Sequence, residues 1–300
     1  MRLFLKDIML VIVAFIAVLL PLEIFVFPYT SHNIYNYKYN YVQDNSDKIA
    51  ILLMGNSYFE NSINPNLLGD SVFDMAVGAR WIYYDKELMK KNVSKLENLK
   101  TVVFPIGYKV PFSSSHHYED NASIDYVHEK YMHVWYDRFP SKYIKYLYVL
   151  DGVSSGTKLF DNNVYCDSLG YTKLTGHHND KWKEDQNISP DIMFSKYAES
   201  QVDEYLSYLM EIAKICAQNN VRFIVVTPPC HDSFNVNVRQ EGLDILHGII
   251  ENVRADYPIE YIDYLQDEQF RADSIYFNCS HLNSIGADMF ALRVKEDFGL

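Results

Sequence analysis

Short apolar runs alternate with longer segments of helical spacing from residue 48 to residue 300. Continuous apolar runs bounded by Gly or Pro are typical of strands that are buried on both faces of a sheet. The predicted strands are KIAILLM (48–54), VFDMAV (72–77), TVVFPIG (101–107), VRFIVVTPP (221–229) and IEYID (259–263). The predicted helices are 83–99, 200–220, 241–255 and 283–299, the last with Asn283 as its cap. The alternation predicts an α/β fold of three layers (α/β/α), in which a parallel sheet lies between helices.

Residues 108–198 interrupt this alternation. The segment is rich in Ser, His, Asp, Asn and Tyr, and one further helix is predicted near SKYIKYLYVL (141–150). Long irregular insertions in a compact domain are often lids or binding loops. We therefore expect an α/β domain at residues 48–300, with an insertion at 108–198 that bears on specificity.

Residues 1–28 are predicted to form a membrane anchor. Their apolar stretch has about the twenty residues that a helix needs to cross a bilayer. Arg2 and Lys6 keep the short N-terminal tail in the cytoplasm, so the rest of the chain faces outward. Residues 29–47 are polar and rich in tyrosine, and they are predicted to form a stalk.

Two alternatives to an anchor are a cleaved signal peptide and a buried helix. A signal peptide has a shorter apolar region and a small-residue cleavage site, and no Ala-x-Ala pattern follows this stretch. Pro21 and Glu23 are hard to bury in a soluble core and sit more easily near the outer membrane interface. The sequence therefore favours a single-pass membrane protein.

The formal net charge of −12 argues against a nucleic-acid partner, because phosphates bind to basic surfaces. A Gly-rich loop with a lysine, which would indicate phosphate binding, is missing, and no cofactor is expected.

No metal site is expected either. The candidate ligands are His116–His117, His177–His178 and His231–Asp232, and none has a third ligand at helical spacing. The cysteines, at positions 166, 216, 230 and 279, lack the CxxC spacing of zinc sites and are expected to be free. Cys230 and Cys279 both follow predicted strands and could pair in an exported domain.

Ser57, Gly78 and Gly107 fall where predicted strands end, and ligands of parallel sheets bind at the carboxyl ends of strands. In GNS (55–57), Ser57 stands at the first turn of the next helix, where its own N–H is an unpaired donor. A serine nucleophile with an oxyanion donor needs this geometry. Serine is also a common helix cap, so the tripeptide alone leaves both roles open.

The last loop of the predicted sheet carries His281, in YFNCSHLNSIGADMF (276–290). Together with GNSYFENSINP (55–65), this tail resembles the SGNH (GDSL-like) hydrolase superfamily. The first block of that family is a Gly-Asp/Asn-Ser turn after strand one, and its last block is Asp-x-x-His before the terminal helix. HLNSIGADMF is similar to the tails of membrane-anchored bacterial members, D-x-x-HLN-x-x-GA-x-x-F. The likeness runs in order over residues 48–112 and 200–298, and it implies a flavodoxin-like three-layer fold at a bacterial cell membrane, facing outside the cytoplasm.

The resemblance implies a role for each matching residue. Ser57 would attack an ester carbonyl, with His281 as general base and then general acid. The backbone N–H groups of Ser57 and Gly78 would form the oxyanion hole. Lys109 stands where the family has an oxyanion Asn, and loss of one such donor typically slows catalysis on the order of 100-fold to 1000-fold.

A second departure concerns the acid of the triad, because the residue three positions before His281 is Asn278. An Asn carbonyl can accept the imidazole N–H, but it brings no charge to stabilise the imidazolium. Replacement of the triad Asp by Asn lowered kcat roughly 10⁴-fold in one serine protease, whereas cysteine proteases work with Asn in this role. Asp273 is an alternative acid, and Arg80 is either a surface residue or a contact for an anionic substrate group.

The expected function is serine-dependent hydrolysis or transfer of O-acyl (acetyl) groups on cell-surface or exported polysaccharide. The substrate is then an O-acylated carbohydrate, and both reactions pass through the same acyl-serine. The alternative is a catalytically degenerate domain that binds polysaccharide or scaffolds a surface-glycan assembly complex. Asn278 and Lys109 favour this alternative, and a hydrogen bond between Ser57 and His281 would oppose it.

Overall fold

The computed structural model describes residues 2–25, 33–113, 128, 132, 134, 165–184 and 189–300. The chain divides into two compact units. One unit is Met1–Asn40 with Asp125–Tyr165, and the other is Tyr41–Ile124 with Cys166–Leu300.

The first unit begins with helix α1 (Arg2–Phe25). The segment Phe4–Leu22 of this helix has a mean hydropathy of 2.5, and none of it is buried. By length and composition it fits a membrane anchor or a signal sequence. The predicted stalk contains helix α2 (Ile34–Asp44), which begins in the first unit and ends in the second.

The second unit is built on a five-stranded parallel sheet with the order β2-β1-β3-β4-β5. The strands are β1 (Ile51–Leu53), β2 (Val72–Asp74), β3 (Thr101–Pro105), β4 (Arg222–Thr227) and β5 (Ile259–Asp263). Each observed strand lies within the residues that were predicted to form it. A two-stranded antiparallel hairpin, β6 (Tyr276–Asn278) with β7 (His281–Leu282), was not predicted.

Helices connect the strands. They are α3 (Ser57–Glu60), α4 (Ile82–Asn92), α5 (Pro190–Lys196), α6 (Glu199–Gln218), α7 (Asp232–Asn235), α8 (Gln240–Asp256) and α9 (Ser284–Phe298). The predicted helix at 83–99 ends at Asn92, whose side chain donates to the Leu88 carbonyl, and a short 3-10 turn (Val93–Lys95) follows. The predicted helix at 141–150 lies outside the described residues.

The two faces of the sheet are covered by different helices. Leu53, Val103 and Ile224 share a buried cluster with Phe290 and Val294 of α9. Successive side chains of a strand point to opposite faces, so the equally buried neighbours of these strand residues face the other layer. Helices α4 and α8 both pack against α6. Helix α6 contacts β4, and α8 contacts β5. The predicted three-layer α/β/α fold with a parallel sheet is confirmed.

The structure explains the residue type at three positions of the C-terminal motif HLNSIGADMF. Leu282 is fully buried in the core. Asn283 caps α9, as predicted, because its Oδ1 accepts hydrogen bonds from the N–H groups of Ile285 (3.0 Å) and Gly286 (3.3 Å). A Cβ on Gly286 would lie 2.3 Å from the carbonyl oxygen of Ile275, so only glycine fits there. The motif thus holds the hairpin tightly against the start of α9.

Arg80 joins the loops that follow β1 and β2. Its side chain is buried, which corrects both roles considered from the sequence. Its Nη1 donates to the Met75 carbonyl (2.8 Å) and to Asp85 Oδ1 (3.2 Å), and the same carboxylate oxygen accepts the Gly55 N–H (3.1 Å). Burial raises the pKa of Asp85 to about 6, although the Arg80 charge acts in the opposite direction.

Replacing Arg80 with Ala removes the counter-charge of the buried Asp85 carboxylate. We expect the free energy of unfolding to fall by about 3–5 kcal/mol at about pH 8. The loss should be smaller at about pH 5, because the raised pKa lets folded Asp85 bind a proton while the unfolded carboxyl, with its ordinary pKa of 3.8, stays ionised. Urea unfolding at the two pH values measures both losses.

The matched control is Arg254→Ala, since Arg254 forms an exposed pair with Glu251. This change should cost only about 0–1 kcal/mol at either pH. An Arg80→Ala loss that is the same at both pH values would show that Asp85 is not the group left unpaired.

Candidate active site

Ser57 is the first residue of α3, directly after the turn that ends β1. The cap of this helix is Asn56, whose side chain accepts the Tyr58 N–H (3.1 Å). The Ser57 hydroxyl is therefore not used as a cap, and its role as a nucleophile stays a prediction. Its position at the carboxyl edge of the sheet is the one expected for a ligand-facing residue.

The hairpin β6–β7 carries the other two residues of the predicted triad. Asn278 and His281 face each other across the hairpin. His281 Nε2 lies 2.8 Å from Ser57 Oγ, and His281 Nδ1 lies 3.1 Å from Asn278 Oδ1. The structure thus brings Ser57, His281 and Asn278 into one hydrogen-bonded chain.

The surroundings of Asn278 fix the direction of this chain. Its Oδ1 accepts the backbone N–H groups of Ser280 (3.0 Å) and His281 (2.9 Å), and a backbone N–H can only donate. The amide atom beside His281 is therefore the oxygen, an acceptor, which favours the tautomer that carries the ring proton on Nδ1. Nε2 then presents its lone pair to the Ser57 hydroxyl, which is the arrangement that a general base requires.

Asp273 does not reach the imidazole of His281. Its Oδ1 binds His231 Nε2 (2.9 Å), and its Oδ2 binds Lys183 Nζ (2.6 Å). These two hydrogen bonds lower the pKa of Asp273, and they hold its carboxylate within a separate ion-pair cluster. The alternative acid considered from the sequence is thus engaged elsewhere.

The N–H groups of Ser57 and Gly78 are two of the predicted oxyanion donors. Within the described part of the chain, neither group donates a hydrogen bond to another residue. Both residues follow strands that are neighbours in the sheet. Two unpaired N–H groups at one sheet edge are what an oxyanion hole requires, although their joint action on an oxyanion stays a prediction.

Lys109, the third predicted donor, is largely buried. Its Nζ lies 5.5 Å from the centroid of the Phe234 ring. Loss of solvent around the ammonium lowers its pKa, against the influence of the Cys230 and Cys279 thiols. Its oxyanion role stays a prediction.

Tyr58 is a site residue that the sequence reasoning missed. Its ring stacks on the His281 ring, with centroids 5.3 Å apart and planes within 6°. A Cβ on Gly107 would lie 2.3 Å from Tyr58 Cε2, so the glycine that follows β3 leaves room for this ring. The position of Tyr58 directly after the nucleophile was the signal available in the sequence.

The histidines considered as metal ligands have packing roles where they are described. His177 stacks on Trp182 and bonds to the Tyr276 carbonyl (2.7 Å), and His231 binds Asp273. Among the described residues, no three His, Cys, Asp or Glu side chains are grouped so that they could hold a metal ion. The pair at 116–117 lies outside these residues, and all four cysteines are present as thiols.

No family model matches the chain, and no curated protein matches its sequence. The solved structures that resemble it include three bacterial proteins. A GDSL-like lipase from Bacteroides thetaiotaomicron is 11% identical, with a TM-score of 0.45 over 89% of this chain and 98% of its own. A proposed acylhydrolase from Bacteroides fragilis is 11% identical, with a TM-score of 0.44 over 86% and 94% of the two chains. A proposed platelet activating factor from Streptococcus pneumonia is 10% identical, with a TM-score of 0.45 over 88% and 90%.

Such likenesses do not identify what this chain acts on. The sheet order, Ser57 after β1 and His281 just before the last helix agree with the family implied by the motifs. The chain has the three-layer α/β/α fold that the resemblance implies.

Replacing Gly107 with Ala tests the stack of Tyr58 on His281. The new Cβ would displace the Tyr58 ring and with it the imidazole. A shift of about 1 Å in a reacting group can cost on the order of 100-fold in rate, and we expect a fluorophosphonate to label Ser57 more slowly by about that factor. Labelling is followed by mass spectrometry of the intact chain.

The control is Gly248→Ala in α8, where a Cβ meets nothing within 4 Å. Alanine should stabilise that helix by up to about 1 kcal/mol and leave the labelling rate unchanged. Equal labelling of the two variants would mean that the Tyr58 stack does not position His281.

Proposed function

We propose that this protein is a serine-dependent acyl-ester hydrolase or O-acyltransferase that acts on O-acyl groups of cell-surface or exported polysaccharide. The observation that carries the proposal is the 2.8 Å hydrogen bond between His281 Nε2 and Ser57 Oγ. The Nδ1 proton, held by Asn278, leaves Nε2 free to take the hydroxyl proton.

The reaction follows from this geometry. Ser57 Oγ attacks the ester carbonyl and passes its proton to His281 Nε2, while the N–H groups of Ser57 and Gly78 bind the oxyanion. Nε2 then protonates the leaving sugar oxygen, and an acyl-serine remains. Water or a second sugar hydroxyl attacks this ester, with His281 again as base, and the acceptor decides between hydrolysis and transfer.

The substrate class is inferred from topology and resemblance. Helix α1 is long and apolar enough to anchor the chain, and Arg2 and Lys6 favour an outward-facing domain. An enzyme held there meets the glycans of the cell surface and of export. The C-terminal motif resembles that of membrane-anchored bacterial members of the SGNH superfamily, which supports the same site of action.

A second candidate is a glycan-binding or scaffolding domain without catalysis. The observation that favours it is the neutral Asn278 in place of an acid, together with Lys109 in place of the oxyanion Asn. The assembled Ser57–His281 pair opposes it, because a binding function has no need for that hydrogen bond.

The first experiment measures release of acetate from an activated aryl acetate and from an O-acetylated polysaccharide, with the full chain in detergent micelles. We expect Ser57→Ala to lose turnover of both substrates. His281→Ala should lose on the order of 10²- to 10⁴-fold, the usual contribution of general acid–base catalysis. Addition of a sugar acceptor separates the two reactions, since a transferase gives an acylated sugar in place of free acetate.

Fluorophosphonate labelling provides the control for folding and for substrate choice. If the chain is labelled at Ser57 but turns over neither ester, its nucleophile works and the assay lacks the acyl donor that the protein requires. A chain that neither labels nor turns over ester, with wild type equal to Ser57→Ala in both assays, would favour the binding function.

A further inference from the structure

The amide oxygen of Asn278 has more donors than it can satisfy. Four groups lie within hydrogen-bonding distance: the backbone N–H groups of Ser280 (3.0 Å) and His281 (2.9 Å), His281 Nδ1 (3.1 Å) and Ser280 Oγ (3.3 Å). A carbonyl oxygen has two lone pairs. The two backbone groups are the closest and are fixed by the hairpin, so the bond to the imidazole is shared and weakened.

The Ser280 hydroxyl is a second acceptor for the imidazole proton. Its Oγ lies 3.0 Å from His281 Nδ1, slightly nearer than the Asn278 oxygen. Ser280 is almost fully buried, at 6% exposure, so water competes little for this contact. If the hydroxyl proton is directed to Asn278 Oδ1, the lone pairs of Ser280 Oγ face the imidazole.

Tyr58 contacts both Ser280 and His281. Its side chain is hydrogen-bonded to Ser280, and its ring stacks on His281. Burial raises the pKa of the Tyr58 phenol well above its ordinary value, with the Cys230 and Cys279 thiols acting in the same direction. A phenol can both donate and accept a hydrogen bond, and a phenol proton directed to Ser280 Oγ would leave the Ser280 proton for Asn278.

We propose that Ser280 and Tyr58 are positioning residues that together take over, for His281, the part played by the aspartate absent at position 278. Ser280 is a second acceptor for the Nδ1 proton, and Tyr58 orients Ser280 and supports the face of the ring. When Nε2 takes the Ser57 proton, the imidazolium is held by two neutral oxygens, and no proton passes to Ser280. This inference rests on the proposed function only for its kinetic consequences.

The first readout needs no turnover. The ¹⁵N shifts of the two His281 ring nitrogens, in the full chain with labelled histidine, report which nitrogen carries the proton. Wild type should show His281 protonated at Nδ1, and Ser280→Ala should show a mixture of the two tautomers. Tyr58→Phe keeps the stacked ring and removes only the hydroxyl, so it should show a smaller change in the same direction.

Kinetics give the second readout. Ser280→Ala should lower kcat for ester turnover roughly 10- to 100-fold, the weight of one hydrogen bond to a charged group, with KM nearly unchanged. Asn278→Asp restores a carboxylate beside Nδ1. In that background Ser280→Ala should cost less than about 3-fold, because one charged acceptor is enough to hold the ring proton. This rescue also shows that the loss in the single variant is not a failure to fold.

Tyr171→Phe is the matched control. Tyr171 is as buried as Tyr58, at 5% exposure, and its hydroxyl has no hydrogen-bond partner among the described residues. Its removal should leave the His281 tautomer and kcat unchanged. The proposal is overturned if Ser280→Ala leaves the tautomer at wild type, or if it costs the same in the Asn278→Asp background as in wild type. A tautomer change in a chain that turns over no ester would uphold the positioning role and count against the proposed function.

Discussion

The hydrogen bonds that converge on Asn278 Oδ1 determine how the site is built. Two of them come from the backbone of the hairpin and identify the amide oxygen, and a third comes from the His281 ring. Because the ring proton is held at Nδ1, the Nε2 lone pair can face Ser57. The hairpin is in turn held by Asn283 and by the close approach of Gly286 to the Ile275 carbonyl. The geometry of the site thus depends on a short turn stabilised by side-chain amides.

The chemistry around His281 is carried by neutral groups. Asn278, Ser280 and Tyr58 supply oxygens and a ring face, while the nearby carboxylate of Asp273 is bound to Lys183 and His231. A neutral acceptor stabilises an imidazolium less than a carboxylate does, and it also costs less to bury. The half-buried imidazole of His281 therefore lies between neutral hydrogen-bonding groups and an aromatic ring.

The sequence predicted the parts of the structure that have local signals. Apolar runs located all five strands of the parallel sheet. The hairpin escaped prediction because its strands have only three and two residues, too few for a period to be visible. Tyr58 escaped because its contacts with His281 and Gly107 join segments that are far apart in the chain. Ser280 escaped because its contacts with Asn278 and His281 depend on the turn of the hairpin. Arg80 was misjudged because only the fold shows that its side chain is buried against Asp85, five positions along the chain.

The two members of the Ser57–His281 pair are 224 positions apart in the chain. At a synthesis rate of roughly 5–20 residues per second, on the order of ten to fifty seconds pass between the emergence of one and that of the other. During that interval the serine is an ordinary alcohol without an imidazole. The hydrogen bond between Ser57 and His281 therefore forms only after the last segments of the domain have been made and have folded against the end of β1.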